Sequence, residues 1–107
     1  MSEGNLPHLE IIMSTTEEIQ KELESCLESI NSTGLDNLDI QNIYALDKIS
    51  VSAAELGMTQ GKKLVDNLAA VLKTFKEGKS AKESVSVRLT ALEFYLQNIK
   101  SSGTEDL

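Results

Sequence analysis

The sequence has one cysteine, one histidine, a surplus of carboxylates and a cluster of lysines to do chemistry with. A thiol and an imidazole within hydrogen-bond reach make a nucleophile pair. Cys26, however, falls between Ile19, Leu23, Leu27 and Ile30 at intervals of three and four. That spacing predicts a buried structural thiol rather than a reactive one. His8 stands alone in "MSEGNLPHLEIIM", with no motif around it. The chain has neither the Glu-x-x-His pair that carboxylate-bridged bundles use nor a Cys/His cluster at zinc spacing. Gly57, Gly61 and Gly78 do not compose a phosphate loop, and Glu22, Glu24 and Glu28 read as solvated surface. Lys73, Lys76, Lys79 and Lys82 straddle a turn, where lysines complement the carbonyl end of a helix. From these residues we expect no enzyme, no cofactor and no metal.

The remaining candidate is Asp47, in the stretch "IYALDKISVSAAELGM". Tyr44, Asp47, Ser50, Val51 and Ala54 recur at three and four and so share one helical face, with Lys48 at its edge. The face is small, partly apolar and carries one acid near its middle. It reads either as a second packing face of a central helix or as a partner-docking patch, since exposed apolar area with a polar element marks interaction sites.

Helices are what position these residues. The first is predicted from "STTEE", where Ser14 with Glu17 or Thr15 with Glu18 has capping-box spacing, to a left-handed stop at Gly34. The second starts near "LDNLDI", with Asp36 and Asp39 at the positive end of its dipole, buries Leu38, Ile43, Leu46, Ile49, Ala53 and Leu56, and stops at Gly57. The third runs from Thr59 to about Lys76 over Leu64, Val65, Leu68, Val71, Leu72 and Phe75, and Gly78 closes it. The fourth opens with a Ser80–Glu83 capping box and buries Val85, Leu89, Leu92, Tyr95, Leu96 and Ile99. Short connections make consecutive helices antiparallel neighbours. The expectation is an all-α, up-down four-helix bundle over residues 14–101. A short N-terminal segment, 1–13, packs on or near it, either extended or as a short helix in "HLEIIM", and residues 102–107 form a flexible tail.

Charge narrows the partners. A net −7 disfavours nucleic acid, which calls for concentrated Lys and Arg, and anionic membrane surfaces for the same reason. No apolar run approaches the roughly 20 residues that span a bilayer. A lone cysteine and no secretory leader pattern give a cytoplasmic expectation.

Over residues 15–100 the chain resembles the histidine-phosphotransfer domain family, particularly the version that opens chemotaxis histidine kinases. "DKISVSAAELG", Asp47 to Gly57, has the length, the small run Ser52–Ala53–Ala54 and the Leu56–Gly57 end of that family's second-helix motif. "NLDIQNIYAL" is similar to its lead-in and "KKLVDNLAAVLKTFKEGK" to its third helix and closing turn. The motif's functional residues are absent. Its phosphoacceptor histidine aligns with Asp47, its lysine with Ser50 and the following glycine with Val51. Transfer calls for a nucleophilic imidazole and a nearby cation, whereas Asp47 presents an anion to the incoming phosphate.

The resemblance therefore implies a pseudo-phosphotransfer module. It would dock a receiver domain or a histidine kinase through Tyr44, Asp47, Lys48, Ser50, Val51 and Ala54 without accepting phosphate. Asp47 either imitates a phosphorylated histidine or only occupies its place. The alternative is an unrelated helical adaptor or homo-oligomer, a homodimer for instance, that shares only the bundle shape.

Overall fold

The computed structural model describes the backbone of residues 5–102 and the side chains of residues 17–102. Four helices form the bundle: α1 (Asn5–Thr33), α2 (Ile40–Glu55), α3 (Thr59–Lys76) and α4 (Lys82–Ser102). Each packs on the next, α2 and α3 share the largest seam, and α4 closes the ring on α1. The architecture is the expected all-α four-helix bundle, and the predicted stripes make its core. Leu46, Leu68, Leu72, Val85 and Leu92 are completely buried, with Leu23, Ile30, Val65 and Ile99 almost so. Leu56, Leu64 and Phe75 pack on the core half-buried.

Two starts differ from expectation. The chain from Asn5 on is the beginning of α1, not a separate segment, and "HLEIIM" is helical. Ser14 and Thr15 stand inside the helix instead of capping it. Pro7 falls in the first turn, where the N–H it lacks would have no intrahelical acceptor, and no glycine or proline interrupts the helix after it. Cap-like spacing permits a helix start but does not compel one. The His8 side chain and the tail beyond Ser102 lie outside the described residues. The Ser80–Glu83 box is likewise not what begins α4: the Ser80 hydroxyl pairs with that of Thr74, and the helix starts at Lys82.

The start of α2 is well defined. A 3-10 turn at Leu35–Asn37 leads to Asp39, the N-cap. Its carboxylate accepts from the Gln41 N–H at 3.0 Å, and the Asn42 side chain accepts from the Asp39 N–H at 3.2 Å. This reciprocal box satisfies donors that the first turn leaves orphaned. At the other end Gly57 has φ 76°, the left-handed region that favours glycine. There the Met58 N–H reaches Ala53 O at 2.8 Å and the Gly57 N–H reaches Ala54 O at 3.1 Å, the Schellman pattern. Met58 and Ala53, the two positions whose apolar contact commonly accompanies such a stop, are both buried. With both ends fixed, the rotation of α2 about its axis is set by its inward Leu46, Ile49 and Ala53, and its outward face follows from them.

Candidate protein-docking face on α2 and α3

The outward face of α2 is exposed and apolar. Tyr44 is 57% and Val51 60% exposed, and Ala54 is exposed as well. Ile40, one turn before Tyr44, is 46% exposed and extends the stripe toward the cap. At 3.6 residues per turn, positions 40, 44, 47, 51 and 54 fall within about 80° of arc. The apolar members of this face, Tyr44, Val51 and Ala54, are exposed rather than packed within the bundle.

Asp47 sits in the middle of that patch, half-buried. Its carboxylate lies 3.6 Å from the Lys73 ammonium of α3. Both side chains keep about half their surface in water, so the pair orients more than it stabilises. Lys48 is exposed on the α1 side of the stripe, where it borders an open groove of about 510 Å³ with Lys21, Ser25 and Ser29.

Ser50 corrects the sequence reading. It was expected on the docking surface, but it is buried at the α2–α3 seam, where its hydroxyl donates to Asp66 Oδ1 at 2.5 Å. Its place on the helix lies just beyond the edge of the stripe, and the neighbouring α3 covers that edge. The second Asp66 oxygen accepts from Lys62 Nζ at 2.6 Å. The Lys62 hydrogen bond first, and the Ser50 hydrogen bond second, hold the Asp66 carboxyl below its ordinary pKa. A serine beside an aspartate suggests a base and a nucleophile, but the arrangement opposes both roles. The carboxylate is made less basic by its donors, and the hydroxyl is buried and already donating. The network ties α2 to α3.

Cys26 forms part of the groove floor between α1 and α2, and its thiol donates to Asn42 O at 3.7 Å. Burial pushes its pKa up to about 11, so it stays a neutral thiol at physiological pH. Among the described residues no group of three or more His, Cys, Asp or Glu side chains could hold a metal ion, and no helix is long and apolar enough to cross a membrane.

Sequence reasoning missed three exposed apolar residues: Ile40 on α2, and Val87 and Phe94 on α4, at 64% and 68%. Spacing was the available signal. Ile40 is four before Tyr44, and Val87 and Phe94 are seven apart on the side of α4 away from its core stripe.

The face combines exposed apolar side chains with the half-exposed Asp47–Lys73 pair, and Lys48 stands at its edge. No known protein family, characterised protein or solved structure matches the chain.

Proposed function

We propose that this chain is a cytoplasmic, non-catalytic module of the phosphotransfer type, docking a receiver domain or a histidine kinase through the outer face of α2 and the adjacent edge of α3. The observation that carries the reading is the exposed stripe of Tyr44 and Val51 with Asp47 at its centre, because Asp47 is the position where the sequence resemblance puts a phosphoacceptor. Tyrosine is favoured at contact hot spots, where it combines apolar area with a polar tip. An aspartate there gives a receiver a surface to engage but no imidazole to phosphorylate. It acts either as a standing imitation of phosphohistidine or as a competitor that takes up the docking site of an active domain.

Titrating isotope-labelled protein with receiver and kinase domains from the same source, with and without a phosphoryl mimic on the receiver, tests the proposal. Amide shifts confined to Tyr44, Asp47, Val51 and the Lys73 region of α3 are expected. Silence with every receiver and kinase domain, or shifts centred on α4, would contradict it.

Self-association is the second reading, and the α4 patch of Val87 and Phe94 favours it. Sedimentation over a range of concentrations separates the two: a dimer lost in a Phe94→Ser variant assigns that patch to a second copy.

A further inference from the structure

Charge is distributed unevenly over the bundle. Residues 17–33 of α1 carry five glutamates against the single Lys21. Residues 59–82, α3 and its closing turn, carry six of the chain's ten basic residues against Asp66 and Glu77. Of these six, Lys62, Lys73 and Lys76 stand at the edge of α3 that faces α2, with Asp66 and Asp47 beside the first two, so the edge carries a small cationic excess in a protein of net charge −7.

Three contacts define that edge. Lys73 reaches Asp47, Lys62 holds the Asp66 that bonds Ser50, and Lys76 Nζ donates to Leu38 O at 3.0 Å. Positions 62, 73 and 76 therefore line one rail along the α2 stripe. On the other side of the stripe stands Lys48, at the rim of the α1–α2 groove. Lysines stand on both sides of the apolar stripe of Ile40, Tyr44 and Val51, with Glu55 near Lys48 on one side and Asp66 beside Lys62 on the other.

We propose that this face takes an acidic amphipathic helix of a partner protein, with the partner's apolar ridge on Ile40, Tyr44 and Val51 and its flanking carboxylates on Lys48, Lys62, Lys73 and Lys76. The inference rests on the docking reading above and gives the partner its chemistry. An amphipathic helix presents anchors at intervals of three, four and seven, the spacing that this stripe itself displays. Asp47 sharpens the choice: it repels a carboxylate placed on the ridge, so the partner's acids belong on its flanks. Half-exposed lysines already engaged within the molecule add little to affinity. Their contribution is to speed encounter and to reject basic partners, both of which weaken with salt.

The test uses the full chain, isotope-labelled, and two synthetic helical peptides of about 20 residues. The peptides share one leucine ridge and differ only in having glutamate or lysine flanks. The glutamate peptide is expected to shift the amides of Tyr44, Val51, Lys62 and Lys73, to bind at least roughly tenfold tighter than the lysine peptide at low salt, and to lose most of that advantage at high salt. Lys73→Glu with Lys76→Glu should reverse the preference. Equal binding of both peptides on this face would overturn the charge assignment and leave the docking face standing. Binding of neither would overturn the inference, while the receiver titration, which uses no peptide, decides the docking reading by itself. A dimer through the same amides in the absence of peptide would give the face to a second copy and overturn the inference too.

Discussion

The outer faces of α2 and α4 both expose large apolar side chains, yet they differ in what surrounds them. On α4, Val87 and Phe94 stand a full two turns apart, and Phe94 has Thr90, Glu93 and Gln97 around it. On α2, Tyr44 and Val51 are equally far apart, but Ile40 adds a third apolar side chain to the same face, and half-buried Asp47, 3.6 Å from Lys73, lies between Tyr44 and Val51. Single exposed apolar residues are ordinary on protein surfaces; three on one helical face with an ion pair among them stand out more. The difference teaches that exposure alone does not nominate a site. What nominates α2 is that its inward residues, its two fixed ends and its neighbour α3 together orient one apolar strip toward solvent.

The comparison can be broken first at the inward faces. Leu46→Ala on α2 and Leu92→Ala on α4, both at fully buried positions, should each lose about 2–5 kcal/mol. Urea unfolding would read this as a lowered midpoint at unchanged slope. A much smaller loss at Leu46 would mean that α2 is not anchored as described, and its outward face would lose its definition.

Smaller effects sharpen the orientation of α2. Asp39→Ala removes the cap box and should cost ~1 kcal/mol, again by urea unfolding. Ser50→Ala leaves Asp66 with only Lys62 and should cost about 1 kcal/mol or less, since the carboxylate remains half in water. The Asp66 interaction also has a pH signature. Its carboxyl is held below its usual pKa in the folded state, so its contribution is fully present above the unfolded value of about 4 and is lost as pH falls through the lower folded value. Wild type and Asp66→Asn should therefore differ in stability at neutral pH and converge in strong acid. A gap that persists in acid would assign the effect to packing rather than charge.

Smallest of all should be the stability effects of the outward residues. Tyr44→Ser, Val51→Ser, Val87→Ser and Phe94→Ser should each stay within about 0.5 kcal/mol of wild type. A larger loss at Tyr44 would show that its face packs in solution, restoring the reading in which α2 buries two faces.

Much of the fold was legible because burial follows a period. The predicted core positions of all four helices are buried or half-buried, and the glycine stop at position 57 is where expected. Helix starts were less legible, because the same residues serve at caps and inside helices. Ser14 and Thr15 have cap spacing yet lie within α1, while Asp39, read only as a favourable charge, is the working N-cap of α2 with Asn42. At the site, spacing located Tyr44, Asp47, Val51 and Ala54 on one exposed face. It could not locate Ser50, whose burial depends on where α3 lies, nor the Lys73 partner of Asp47, which comes from 26 positions along the chain. Periodicity describes one helix at a time, whereas edges and ion pairs belong to two.

The most direct test of the central claim compares the two outer faces in one binding experiment. Affinity for a receiver domain that shifts the α2 amides should be measured for wild type, Tyr44→Ser/Val51→Ser and Val87→Ser/Phe94→Ser, with folding of each checked by circular dichroism. The α2 pair should weaken binding by roughly tenfold or more while the α4 pair leaves it unchanged. The reverse pattern would move the interface to α4.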